Sequence, residues 1–270
     1  MIQRILFPVD FSPSSIAMAP YVMRAAQMFG AKVGLIYVCD LASYNGFELF
    51  VRPPQEIAAE HQAVARMRLH SFLQSEFPAS TCERILRSGE AAEQISEVAS
   101  GGRFDLIIMP THAGRFRRML LGSTVAKVLD NTDCPVLTSE HSQTIKAQSL
   151  EHRVWACALG TRDESLRVLR LACAAAAAVG ARLSVIHAAT PDGSATEARR
   201  QIEKLVSSAG YSVDVVVVIG PVKQALLDAA LKQSADLLII GRNRSVGISG
   251  RLCDLTYSLT RDSPFPVLSV

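Results

Sequence analysis

The sequence predicts two tandem open-sheet α/β domains, each a five-stranded parallel sheet with helices on both faces. Three observations carry that prediction. Short runs such as Ile5 to Val9 and Leu106 to Met109 are nearly continuous in apolar residues, as strands of a sheet covered on both faces are. Longer segments with apolar residues at helical spacing separate them, so strand and helix alternate. The pattern then repeats. Gly30-Ala31-Lys32-Val33 returns as Gly180-Ala181-Arg182-Leu183, Asp105-Leu106-Ile107-Ile108 as Asp236-Leu237-Leu238-Ile239, and Pro135-Val136-Leu137 as Pro266-Val267-Leu268. The interval is shorter for the later matches, so the second copy has a shorter loop and helix (about Ser194 to Ser208) between its second and third strands.

Taken in order, Ile5 to Val9 reads as a buried strand ending in the turn Asp10-Phe11-Ser12-Pro13. Ser12 or Ser14 can cap the helix that follows, with Pro13 in its first turn. Ile16, Ala19, Val22, Met23 and Ala26 fall on one face of that helix, and Gly30 stops it. Val33 to Cys39 is the second strand, and residues 40–53 form a looser loop. A helix from Pro54 to about Glu76 follows. Cys82 to Arg87 alternates apolar and polar residues as an edge strand does, and Gly89-Glu90 opens a helix to about Ser100. Leu106 to Met109, a helix opened by Gly122-Ser123-Thr124, and a short strand at Pro135 to Thr138 complete the first copy. Right-handed crossovers through β-α-β-α-β-α-β-α-β give an open parallel sheet. The polar stretch 140–152 reads as the linker, leaving domains at 1–140 and 152–270.

Composition sets outer limits. A length of 270 residues suits two domains, and 49% hydrophobic with 20% charged residues calls for packed cores rather than disorder. A net charge of +3 does not argue for nucleic acid without a clustered patch, and Arg115-Phe116-Arg117-Arg118 is too short to be one. The N-terminus has no signal-peptide pattern, and no apolar run approaches the roughly 20 residues of a membrane span. Leu171 to Val179 is alanine-rich and reads as a buried helix face. Six cysteines lie far apart with no CxxC pair, which points to reduced core thiols in a cytoplasmic protein and away from a metal site.

The chemistry concentrates between Asp105 and Ser139. A strand feeds a small-residue and basic loop and then a helix N-terminus, whose first amides have no internal acceptor and whose dipole favours negative charge. In an open parallel sheet, ligands bind beyond the carboxyl ends of the strands where the crossover direction reverses. That edge collects Asp10, Val38-Cys39-Asp40, the loop after Met109 and the Gly122-Ser123 helix start. Asp10 can accept from a ribose or base, Val38 offers an apolar wall, Gly122 admits a phosphate close to the backbone, and the Ser123 hydroxyl can donate.

The run Pro8-Val9-Asp10-Phe11-Ser12, with Met109-Pro110-Thr111-His112 and then Leu120-Leu121-Gly122-Ser123-Thr124 and Cys134-Pro135-Val136-Leu137, resembles the universal stress protein family. The chain looks like a tandem member with two such domains. The resemblance implies a Rossmann-like fold of the adenine nucleotide alpha hydrolase type and, in the first domain, ATP held by a Gly-x2-Gly-x9-Gly-Ser/Thr pattern. Asp10, Val38, Gly122 and Ser123 match the family's positions. Pro110 stands at the first glycine, Ala113 or Gly114 at the second, and the loop is one residue short. Proline removes one donor, for which Arg115, Arg117 and Arg118 can compensate. The implied nucleotide-binding set is Pro8, Val9, Asp10, Val38, Met109 and Pro110, completed by His112, Gly114, Gly122, Ser123 and Thr124. ATP, with or without Mg²⁺, or a related adenine nucleotide such as AMP or a cyclic nucleotide is the expected ligand, with nothing covalently bound.

The second copy departs further. Ala158-Leu159-Gly160-Thr161 lacks the aspartate, Gly241-Arg242-Asn243-Arg244 puts Arg244 at the second glycine, and Gly250 is followed by Arg251. It is expected to be a degenerate partner. In similar proteins the last strand pairs with the neighbouring domain, and a short apolar edge strand needs such a partner, so an intrachain pseudo-dimer is expected. Further homodimerisation is left open.

No catalytic constellation accompanies the site. There is no Walker-type GxxxxGK[ST], no GxSxG around Ser12 or Ser123, and no acid near His112. His61 and His70 read as surface. The leading expectation is a cytoplasmic stress-response sensor or regulator binding ATP, with at most slow incidental hydrolysis and no nucleic-acid or membrane partner. Two other classes stay open: a nucleotide-independent interaction module with decayed pockets, and an adenylate-forming or nucleotidyl-transfer enzyme on a similar sheet.

Overall fold

The computed structural model describes residues 2–39, 53–111, 121–139, 154–161, 165–189, 194–242 and 254–270. The first half runs β1 (Arg4–Pro8), α1 (Pro13–Phe29), β2 (Lys32–Cys39), α2 (Pro54–Ser71), β3 (Glu83–Ser88), α3 (Ala91–Val98), β4 (Leu106–Pro110), α4 (Ser123–Asn131) and β5 (Val136–Ser139). The second repeats it as β6 (Val154–Ala158), α5 (Ser165–Val179), β7 (Arg182–Ala189), α6 (Ala195–Ser208), β8 (Asp214–Ile219), α7 (Val222–Lys232), β9 (Leu237–Ile240), α8 (Asp254–Asp262) and β10 (Val267–Ser269).

All ten strands form one sheet, in the order β3-β2-β1-β4-β5-β10-β9-β6-β7-β8. Within each half every pairing is parallel, and only β5 and β10 run antiparallel. Their register sets Leu137 against Leu268, flanked by Thr138 against Val267 and Val136 against Ser269. Since Leu137 and Leu268 are the same position of the repeat, an approximate twofold axis passes through that pair.

Local chemistry explains the element ends. Ser12, not Ser14, caps α1, its Oγ accepting the Ser15 amide at 3.3 Å. Gly30 at φ 64° and Gly180 at φ 70° turn the chain out of α1 and α5 in the left-handed region. The repeated aspartates are structural pins. Asp105 Oδ2 accepts the Gln3 and Arg4 amides at 2.8 and 3.0 Å, and Asp236 Oδ2 accepts the Val154 amide at 3.1 Å. Each ties the start of one central strand to the next.

The expected helix from Pro54 to Glu76 is shorter. It ends at Ser71, Phe72 is extended, and Leu73 has φ 49°. The reason is aromatic packing: Phe72 turns back against Phe11 (5.0 Å between centroids) and Phe77 against Phe7 (6.1 Å). Arg84 holds the reversal by donating to the carbonyls of Phe72 and Phe77. Likewise, regular α3 stops at Val98, two residues before the expected end. The stretch read as linker lies outside the described residues.

One core is continuous across both halves, joining Phe7 and Leu137 to Trp155 and Leu268 beneath α1 and α5. On the opposite face each half has its own core, around Ile107 and Val128 in the first and Leu238 and Leu259 in the second. The two ends of the sheet differ. β3 carries Glu83, Arg84 and Arg87, whereas β8 is Val215 to Val218 followed by Ile219, which is 58% exposed. One β8 carbonyl, that of Val215, accepts from Arg199 at 3.0 Å.

Candidate functional site

The crossover direction in the first half reverses between β1 and β4, so the chain leaves those two neighbouring strands toward opposite faces. The crevice this creates is where the sequence-predicted residues gather. Pro8 ends β1, and Val9, buried, donates its amide to Ile36 O at 2.9 Å. Asp10 follows, exposed at the edge. Its Oδ1 accepts the Ser15 hydroxyl at 2.6 Å and the Ser12 amide at 3.0 Å. Both bonds fall on one oxygen, and no bond from a described residue reaches Oδ2. The carboxylate is therefore aimed and half available.

Phe11, just beyond, has φ 61°, a strained conformation for a residue with a side chain. Aromatic contacts hold it there. Its ring lies 4.4 Å from that of Tyr37, and the Arg68 guanidinium stacks over it at 4.4 Å. Strain at this one turn fixes where Asp10 stands.

Val38, near the end of β2, is half-buried and paired with Arg87. Met109 is buried, and Pro110 ends β4 opposite Ser139. Thr111, buried, donates its amide to Ser139 O at 3.3 Å and accepts the Gly122 amide at 3.0 Å. The strand end and the helix start are thereby clipped together. Gly122 is the N-cap of α4 with no side-chain cap, at φ −59° and ψ 140°. Ser123 is exposed and Thr124 half-buried. His112, Gly114, Asp40, Ala113 and Arg115 to Arg118 lie outside the described residues. The structure thus brings Pro8, Val9, Asp10, Val38, Met109, Pro110, Gly122, Ser123 and Thr124 to one edge of the sheet.

A charged contact joins α4 to α3. Glu90 caps α3 through the Glu93 amide (2.8 Å) and takes Lys127 Nζ at 3.0 Å. Burial pushes its carboxyl up, but the Glu93 amide and the Lys127 ammonium outweigh that and hold it below the usual range. The five described cysteines are buried free thiols. Burial pushes Cys134 up to about 12 and Cys173 up to about 11. No group of three metal-binding side chains occurs among the described residues. None of the described helices is long and apolar enough to cross a membrane.

Two residues escaped the sequence reading. Ser15 sits inside α1, and its only signal is a buried polar residue within reach of a turn aspartate. Arg242 was passed over for Arg244, which lies outside the described residues. Arg242 Nη1 donates to Leu129 O (3.1 Å) and Thr132 O (2.8 Å), and Nη2 to Cys134 O (2.7 Å). It is the second half's charge on the carboxyl end of the first half's α4. Gly250 and Arg251, expected to match Gly122 and Ser123, lie outside the described residues.

The fold is that of a doubled open α/β sheet, with the sequence-predicted residues gathered at one carboxyl edge of its first half. The universal stress protein family model matches the chain twice, at residues 1–139 and 156–270, and the chain belongs to that family as a tandem member. It is 28% identical over 149 residues to universal stress protein MJ0531 of Methanocaldococcus jannaschii, covering 50% of this chain and 80% of that one. A Thermus aquaticus universal stress protein is 27% identical over 139 residues, covering 51% of this chain and 98% of that one. Among solved structures, a universal stress protein from Archaeoglobus fulgidus superposes with TM-score 0.72 at 21% identity, covering 98% of this chain and 97% of that one. The Pseudomonas aeruginosa protein PA1789 gives 0.68 at 16%, covering 100% and 92%. These two likenesses speak to the fold.

Proposed function

We propose that the first half binds ATP or a related adenine nucleotide and that the chain acts as a stress-response sensor or regulator, not as an enzyme. The observation that supports this most is the Asp10 carboxylate. It is oriented through one oxygen by Ser15 and Ser12, the residue is exposed, and no bond from a described residue takes Oδ2, which leaves an acceptor for a ribose hydroxyl. The uncapped start of α4 on the same edge supplies amides and dipole for phosphate. Any Mg²⁺ would arrive with the phosphates, since the described donors do not form a carboxylate cluster. The reading assigns no catalytic residue, and hydrolysis, if any, is slow and incidental. Buried thiols fit a cytoplasmic setting.

The test is nucleotide analysis of the purified, gently denatured protein by mass spectrometry, backed by ATP calorimetry. One ATP per chain is expected, lost in Asp10→Ala. Gly122→Val should abolish binding and leave the fold intact, because φ −59° with ψ 140° suits a β-branched residue. Pro110, which offers no amide at the first glycine position, favours a second reading: an interaction module whose pocket has decayed. The absence of both co-purified nucleotide and titration heat would select it.

A further inference from the structure

A cavity of about 590 Å³ opens at the carboxyl ends of β6, β7 and β9, within the size range of small-molecule sites. It occupies in the second half the place that the nucleotide edge occupies in the first, but the grips differ. Gly160 stands where Asp10 would be, so the turn after β6 presents no carboxylate, and the one carboxylate residue in the described lining is Asp133, from the turn after α4. The two guanidinium groups among its described lining residues are both turned to backbone carbonyls of the first half. Arg242 takes those of Leu129, Thr132 and Cys134, and Arg167 that of Asp133 at 2.8 Å.

What faces the space is largely apolar, with Leu226, Ile240 and Leu259 buried along its walls. One polar group stands out. His187 Nδ1 lies 2.8 Å from Leu159 O. A carbonyl can only accept, so Nδ1 carries the hydrogen, and Nε2 of the neutral ring is an acceptor. Among the described lining residues, a largely apolar wall, cations already engaged and an imidazole acceptor, with the hydroxyls of Thr161, Ser165 and Thr256, suit an uncharged ligand better than a polyphosphate.

We propose that the second half binds an uncharged, compact apolar molecule, aromatic or cyclic, that donates one hydrogen bond to His187 Nε2. The site is independent of nucleotide in the first half.

The probe is N-phenyl-1-naphthylamine, an uncharged aromatic with a single N–H donor, titrated into the full chain and followed by fluorescence and calorimetry. Saturation at one probe per chain is expected, undiminished by excess ATP. Filling the cavity from two directions should weaken binding at least about tenfold, by Ala188→Phe on β7 and by Leu255→Trp on α8. Leu255 is 38% exposed, so its variant tests the site even where Ala188→Phe does not fold. His187→Leu should weaken the probe about fivefold, the loss of one neutral hydrogen bond, and leave its N-methyl derivative unaffected. Absence of saturable binding, binding unchanged in both filled variants, or displacement of the probe by ATP would overturn the proposal. Equal losses for probe and N-methyl derivative in His187→Leu would overturn the role of the acceptor.

Discussion

Asp10 shows how much one turn residue depends on a neighbour that faces inward. Ser15 is 1% exposed, and its hydroxyl is spent on the carboxylate. Ser15→Ala should cost about 1–2 kcal/mol in urea denaturation and weaken ATP severalfold, a smaller loss than Asp10→Ala. Equal ATP affinity in Ser15→Ala and wild type would mean the carboxylate needs no aiming. Asp262 makes a separate point about acid. Hydrogen bonds from Arg261 and then Lys223, together with their charges, outweigh burial and hold its carboxyl far below the usual range. Its folded value lies below its unfolded one, so the stability it contributes is present above about pH 4 and lost as pH falls through the folded value. Asp262→Asn should therefore lower stability near neutrality and flatten the acid limb of a pH–stability curve, the two proteins converging as the carboxylate protonates. The buried thiols carry a third expectation: the five described cysteines should react with Ellman's reagent only after denaturant is added.

At the scale of elements, α4 is the piece on which most is hung. Its amino end opens on the proposed nucleotide edge of its own half, and its carboxyl end is capped by Arg242 of the other. Arg242→Ala should destabilise the chain by about 2–4 kcal/mol, and Arg242→Lys should recover only part of it, because a single ammonium cannot reach three carbonyls in a fork. Full recovery by lysine in thermal denaturation would reduce the contact to simple charge. The start of α4 was legible in the sequence because Gly-Ser-Thr before an apolar-periodic stretch is local information. Its far end was not, since the partner lies more than 100 residues away and binds backbone, which leaves no mark in α4. The overlong reading of α2 failed for the same kind of reason. Helical spacing continues past Ser71, but Phe72 and Phe77 turn back to the aromatic cluster, and long-range packing overrides propensity. Ser15 belongs with these: its partnership is a matter of a turn's geometry.

The whole molecule was the most legible level, because repeats and apolar runs record topology directly. Two five-stranded halves, their order and the use of the last strands as a seam could all be read before the register was known. The register adds that Leu137 and Leu268 meet at the axis. Leu268 is 4% exposed, so Leu268→Glu should bury an unpaired charge at a cost of about 4 kcal/mol or more, and calorimetry should show one unfolding transition split into two. A single unsplit transition would mean that the shared core beneath α1 and α5 suffices to couple the halves.

The unequal ends of the sheet bear on colloidal behaviour. At β3 an incoming strand meets Glu83, Arg84 and Arg87, and at β8 it meets four valines and an exposed isoleucine with Asp214 as the sole charge in the strand. Unwanted growth by edge pairing is therefore polar, starting at one end of the molecule and leaving the other bare. The chain's solubility limit is written in six residues, and a lysine at Val217 should raise it where the same change among the charges of β3 would not.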